Sequence, residues 1–162
     1  YLVKYKNGNL MSEVKKEEKG IKKEEKGTLY FGEFKNGKLV WNKSGDEKDG
    51  KYVGEIKNGV PNGQGTFSVQ NVMKHVGEFK DGEPHGQGTG TYPQGISGIL
   101  NARKYVGEFK NWLWHGQGTL TYSKGIFYFG GFKNGKLHGQ GTLTWYDGFE
   151  YLVEYKNGNK VS

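Results

Sequence analysis

Three histidines stand at the same place in a recurring pattern: His85, His115 and His138, each followed by Gly-x-Gly. Imidazole is a metal ligand and a general base, so its spacing is the first test for chemistry. A metal ion needs converging ligands. Histidines one repeat apart are separated by two strands, ~10 Å, too far to share one ion. Hydrogen bonding within tight turns is what this spacing implies. Glu55, Glu78 and Glu108 form a parallel ladder, each two residues ahead of a lysine, Lys57, Lys80 or Lys110. Paired carboxylates can move protons; at the same ~10 Å pitch these read instead as a solvated charge lattice. No Ser/His/Asp set has the spacing of a nucleophilic site, and the glycines do not form a phosphate loop that opens a helix. The sequence thus points to a non-catalytic chain with no metal and no cofactor.

Binding is better represented. Asn111-Trp112-Leu113-Trp114 stands where a sister stretch reads Asn134-Gly-Lys-Leu137. An Asn-Gly turn needs positive φ, which tryptophan tolerates poorly. This turn is therefore expected to change shape and to present apolar side chains at a hairpin tip. Exposed tryptophan is a common interface hot spot and a membrane-interface residue. In the plainer alternative Trp114 takes the packing place of Leu137 and Trp112 alone is exposed.

The elements that position these residues are repeats. Gly32, Gly54, Gly77, Gly107 and Gly130 mark successive copies, with spacings of 22, 23, 30 and 23 residues. A period of ~23 residues matches two short strands and two turns. Tyr105-Val-Gly-Glu-Phe109 alternates as a strand does. Asn134-Gly135 is a strong hairpin signal. Gly118-Thr-Leu-Thr-Tyr122 is β-branched and aromatic, as suits a return strand. The expected fold is all-β: a single elongated, twisted antiparallel sheet of about ten strands in tandem hairpins, joined as an up-and-down meander. At ~4.8 Å per strand it would run roughly 50 Å. Residues 1–29 read as a degenerate cap and charged connector. Residues 30–158 read as the array, with units near 30–51, 52–74, 75–104, 105–127 and 128–150, a half-unit at 151–158, and a tail at 159–162.

Composition agrees. Glycine accounts for 29 of 162 residues and apolar residues for only 33%, too few for a thick core, yet the 15% of aromatic residues recur in register and argue against disorder. The net charge of +7 is spread as single lysines, which reads as a solvated surface and not as a nucleic-acid footprint. The absence of cysteine excludes disulfides and thiolate metal sites. No apolar run approaches the ~20 residues of a membrane-spanning helix.

Tyr52–Gly65, His75–Gly88, Tyr105–Gly118 and Tyr128–Gly141 each follow the pattern Tyr-x-Gly-x-Phe-x-x-Gly-x-x-His-Gly-x-Gly, with departures at His75, Asn62 and Trp112. This resembles the MORN repeat (membrane occupation and recognition nexus). The resemblance implies an elongated sheet of stacked hairpins. It also implies a module of the kind found in cytoskeletal scaffolds, at membrane junctions and beside enzyme domains.

Alternation puts Tyr105, Gly107 and Phe109 on one face with Gly118, Leu120 and Tyr122. A neighbouring ring is expected to lie over each bare glycine. One sheet has no second layer to cover such a face. It must curl so that its rings bury each other, meet a dimer partner, or bind something. The expected partner-binding set is Tyr52, Phe79, Tyr105, Phe109, Tyr122, Tyr128 and Phe132 on that face, with Trp112, Leu113 and Trp114 at the tip. The expected function is a protein-binding or assembly scaffold, with a homodimer through the sheet face or edge as one form. Peripheral binding to an anionic lipid surface through Lys57, Lys80, Lys110, Lys133 and Lys136 stands second. Regulation of an enzyme domain outside this chain stands third. Ile96–Lys104 is expected as an exposed excursion on the edge opposite Trp112, and its Ile96, Ile99 and Leu100 give folding back over the sheet as the alternative to a free loop. Val3 and Val153, where interior units have glycine, mark Tyr1–Asn9 and Tyr151–Asn159 as caps.

Overall fold

A computed structural model describes residues 2–6, 9–14, 25–96 and 101–162. The strands are β1 (Leu2–Lys6), β2 (Asn9–Val14), β3 (Glu25–Lys35), β4 (Lys38–Asn42), β5 (Lys51–Lys57), β6 (Val60–Val69) and β7 (Met73–Lys80). They continue as β8 (Glu83–Ile96), β9 (Ala102–Lys110), β10 (Leu113–Tyr122), β11 (Phe127–Lys133), β12 (Lys136–Thr144), β13 (Glu150–Lys156) and β14 (Asn159–Lys160). β1 and β2 pair as a separate two-stranded sheet, and the other twelve form one open antiparallel sheet. The all-β, tandem-hairpin fold is as the repeat period implies, with two strands more than expected.

From β5 to β14 neighbours in sequence are neighbours in the sheet. The N-terminal end departs from the meander, because β5 pairs with β3 and not with β4. The cause lies in the sequence. Gly27-Thr-Leu-Tyr-Phe-Gly-Glu-Phe34 runs a return-strand pattern directly into a first-strand pattern with no turn residues between them. One long strand results, with β5 along its N-terminal half and β4 along its C-terminal half. β3 begins at Glu25, inside the stretch expected as a connector. The part of the expected charged connector at 15–24 lies outside the described residues.

The face assignment holds. Tyr105, Gly107, Phe109, Gly118, Leu120 and Tyr122 are buried, and Val106, Lys104 and Gln117 are exposed. The core lies on this one face, as two clusters. One gathers Tyr105, Trp114, Leu120, Tyr128 and Phe132; the other gathers Leu29, Trp41, Tyr52, Phe67 and Phe79. The insertion takes the folded-back course and not that of an exposed excursion: it lengthens the β8–β9 hairpin, in which Ile96 pairs with Ala102. It leaves from the edge opposite the Trp112 turn and folds back over the core. Tyr92 packs on Trp114 with ring centroids 6.1 Å apart, and Ala102 is fully buried. Burying these apolar groups stabilises the folded-back course over a solvated loop. Ile99 and Leu100 lie outside the described residues.

Candidate partner-binding site

The site is built from a unit whose motif residues each have a physical task. In residues 105–122, Tyr105 pairs with Leu120, Gly107 with Gly118 and Phe109 with Trp114. Between the last two pairs β10 carries a bulge that accommodates Gly116 and Gln117. Gly116 sits at φ +58°, a left-handed conformation that suits glycine. The second glycine of Gly-x-Gly serves for space: a Cβ on Gly118 would stand 2.5 Å from the Tyr105 hydroxyl. The tyrosine ring lies flat over the glycine pair, and its hydroxyl donates to the Glu108 carbonyl at 2.9 Å, with the His115 carbonyl at 3.1 Å. Tyr52 repeats this, donating to the Glu55 carbonyl at 2.7 Å. Desolvation pushes the Tyr52 phenol up to about 12, so it stays a donor. The covering ring thus comes from the same unit: Tyr105 stands two residues before Gly107 on its own strand and lies over Gly118 of the paired strand as well. A ring from the neighbouring unit was expected; the tyrosine reaches its own glycine because nothing projects between them.

The carboxylate ladder is also corrected. Glu55 Oε2 accepts the Gln64 amide at 2.7 Å and Glu78 Oε1 the Gln87 amide at 3.3 Å, so these groups hold the bulge of their own hairpin. At the histidine position, His138 Nδ1 accepts the Asn157 amide of the next turn at 3.2 Å. Asn62, which replaces histidine, does the same for the Asp81 amide at 3.4 Å. A backbone rung runs beside these: the amides of Gly82, Trp112, Gly135 and Gly158 donate to the carbonyls of Pro61, Pro84, Trp114 and Leu137.

The rings close on one another. The motif tyrosines meet a ring of the next unit: Tyr52–Phe79 at 4.8 Å, Tyr105–Phe132 at 4.9 Å and Tyr128–Tyr155 at 5.7 Å, all edge-to-face. Such pairs contribute about 0.5–1.5 kcal/mol each beyond area burial. As a result Tyr52, Phe79, Tyr105, Phe109, Trp114, Tyr122, Tyr128 and Phe132, all expected as partner-binding residues, are buried in the array's own core. Leu113 is exposed. Trp114 stacks on Tyr105 at 5.1 Å and takes the packing place of Leu137. His75, in the tyrosine position, is buried between Phe79 and Phe109 at 5.1 and 4.5 Å, and neither ring nitrogen has a partner. Burial lowers its pKa to about 4.

The Trp112 turn keeps the shape of its sisters. Asn111 and Trp112 adopt φ 49° and 69°, close to the 50° and 76° of Asn134 and Gly135. For tryptophan this costs roughly 1–2 kcal/mol. The offset is contact: the indole turns back over the sheet to Phe67 at 5.0 Å and Phe31 at 6.5 Å, and is half-buried instead of projecting from the tip. With Phe31, Phe34, Phe67, Val69 and Met73 it lines an open apolar groove of about 460 Å³, with Asp49 at the wall. Phe34 is 67% exposed. Sequence reasoning brought Trp112 forward but missed the other five apolar residues. The available signal was Phe31, a large ring where the units at Tyr52, His75 and Tyr105 carry valine, but Phe129 stands at the same position without joining a groove of this kind.

On the opposite face Lys57, Lys80, Lys110 and Lys133 close successive first strands next to the turns, and Lys136 follows one turn; all are exposed. Among the described residues the ion pairs are Lys35–Glu33 and Lys51–Glu47, so none of these five lysines is in one.

An open sheet of tandem hairpins, the four interior ones each closed by a ring over a glycine pair, defines a repeat-array module. The chain belongs to the MORN repeat family, whose model matches residues 30–40, 52–68, 75–97, 105–126 and 128–149. No curated protein matches the chain significantly.

Proposed function

We propose that this repeat module is a protein-binding scaffold element that receives an apolar segment of a partner in the Phe31–Phe34–Trp112 groove. One observation carries this reading: the array closes nearly all its inward rings on one another but leaves this groove open, and it holds a tryptophan in a strained turn to form its wall. Strained conformations persist where surroundings over-determine them and concentrate at binding sites. Asp49 offers a carboxylate to a cationic residue of the incoming segment. Substituting Tyr105 or Tyr128 is a poor test, because both are core residues. Phe34→Ser removes an exposed wall. Trp112→Gly relieves about 1–2 kcal/mol of strain while losing a comparable part of a half-buried ring, so stability should change by less than about 1 kcal/mol. Cross-linking capture from native extract should recover a partner with wild type and lose it with both variants. Equal recovery by folded variants removes the groove from consideration.

The unpaired lysines support a second reading, attachment to an anionic lipid surface. A row of basic residues near a membrane is worth about 1 kcal/mol per lysine and is screened by salt. Co-sedimentation that is the same with neutral and acidic liposomes at low salt ends this reading.

A further inference from the structure

We infer that the open edge of β3 over Glu25–Leu29 is a strand-addition site whose occupant is this chain's own β1, in the register Val3 opposite Gly27.

β3 pairs with β5 from Glu25 to Tyr30. On its other side β4 reaches only from Lys35 to Tyr30, and the chain bends away after Asn42. Among the described residues nothing pairs with that side of Glu25–Leu29. A cavity of about 850 Å³ lies beside it, lined in part by Gly27, Leu29, Trp41 and Ile56. An open row of backbone donors and acceptors is a template for a further strand.

The sequence of this edge says which strand is missing. Gly27-Thr-Leu29 is the return-strand pattern of Gly118-Thr-Leu120 and Gly141-Thr-Leu143. Interior return-strand glycines are paired twice. Gly118 pairs with Gly107 of its own unit and Gly130 of the next, and Gly141 pairs with Gly130 and with Val153. Gly27 has the partner in the next unit, Gly54, and lacks the one in its own. The rings tell the same story. Tyr52, Tyr105 and Tyr128 lie over Gly65, Gly118 and Gly141, whereas only the Ile56 Cδ1 atom comes within 4 Å of a Cβ placed on Gly27. The absent element is a first strand with an aromatic residue two positions before a small or valine residue.

Tyr1-Leu-Val-Lys-Tyr-Lys-Asn-Gly8 is such a strand. Its near copy, Tyr151-Leu-Val-Glu-Tyr-Lys-Asn-Gly158, is seated in the sheet, with Val153 buried opposite Gly141. β1 uses one edge for β2 and has the other to offer. The connection does not prevent the move: the ten residues 15–24 can span ~33 Å, and two strand spacings are ~10 Å. The competing occupant is β13 of a second copy, which carries Glu154 where β1 carries Lys4.

The chain has no cysteine, so a disulfide reports the register directly. Leu2→Cys with Thr28→Cys places the pair where Val53 and Thr66 face each other in the next hairpin. Val53→Cys with Thr66→Cys serves as the positive control, and Leu2→Cys with Thr142→Cys as the unpaired control. In the full chain under mild oxidation, the Leu2/Thr28 pair should close within one molecule at least ten times faster than the unpaired control. Closure no faster than that control overturns the proposal. Closure between two molecules also overturns it and assigns the edge to β1 of a second copy, while closure of Thr28→Cys with Leu152→Cys between molecules assigns it to β13 of one. Val3→Pro removes a ladder donor from β1, and should speed amide exchange in residues 26–28 at least ten-fold while leaving 118–120 unchanged. Unchanged exchange at 26–28 counts against β1 as occupant.

Discussion

Around Tyr105 the ring face is covered by the chain's own arm: β8 and β9 run on past the regular hairpin, and Tyr92, Ile96 and Ala102 close over Trp114 and its neighbours. Around Tyr52 the cover is improvised from further away. Trp41 on the edge strand reaches the Gly82 carbonyl with its indole N–H at 3.2 Å and packs on Tyr52 and Phe67. Trp112 closes in from the other side, across three strands. The first half is the more fully covered, with a recess of about 200 Å³ beside Tyr92 and Trp114, and the second keeps a groove of about 460 Å³ and an open strand edge. His75 stands at the seam, touching Phe79 of one cluster and Phe109 of the other. The difference teaches that a one-layer sheet must recruit its cover, and that binding capacity remains where the recruitment is incomplete.

The largest expected effect comes from breaking the more fully covered half at a glycine. A Cβ on Gly107 would meet the Gln117 carbonyl oxygen and Gly118 Cα at 2.6 Å, both backbone atoms that cannot step aside. Gly107→Val should cost about 3 kcal/mol or more, measured by denaturant melts. At the C-terminal end of the array Val153 is buried without a ring of its own, since Tyr151 is 52% exposed. Val153→Gly should cost only about 0.5–2 kcal/mol, from lost burial and added chain entropy. A harmless Gly107→Val beside a severe Val153→Gly would break the ring-over-glycine account.

Acid should probe the seam. His75 is neutral in the fold with its pKa lowered to about 4, against about 6.5 in an unfolded chain. Between those values the unfolded chain binds a proton that the fold does not. The stability contribution is therefore full above pH 6.5 and lost as pH falls towards 4, about 3 kcal/mol in all. His75→Tyr restores the motif residue, and its melting midpoint should lose this component of the acid sensitivity. A variant as acid-labile as wild type would remove His75 as the cause.

Tyr92→Ala should cost about 2–3 kcal/mol, less than full burial would imply because Tyr92 is only partly buried. Hydrogen exchange sharpens the comparison: protection should fall in β9 and β10 and stay unchanged in β5 and β6. A uniform loss would mean the halves do not differ in what covers them.

Much of this was legible in the sequence because the pattern is local. Alternation around Gly107 and Gly118 gives the faces, and Asn-Gly gives the turns. Three things were not legible. Trp112 kept its turn because packing on Phe67, 45 residues earlier, outweighs a local backbone preference. For Ile96–Lys104 the apolar residues gave folding back as one of two courses, but not its target, Trp114, which is brought near only by the pairing of strands. The β5–β3 pairing arose from a missing turn, and an absent signal is harder to see than a present one. Of the binding residues, the sequence exposed the tip but could not tell self-packed rings from open ones, because curl decides that.

The rungs between turns have a mechanical consequence. The tips at Gly82, Trp112, Gly135 and Gly158 each donate one amide to the preceding unit, whereas the inter-unit turns at 69–72, 122–126 and 145–149 make their backbone bonds within themselves. One margin of the ribbon is therefore tied at a fixed pitch and the other is not. Under tension along the array, the untied margin opens first and the ribbon fans about its tip side. A chain built this way resists stretching as a bending spring does, with its stiffness along the row of Asn-Gly turns.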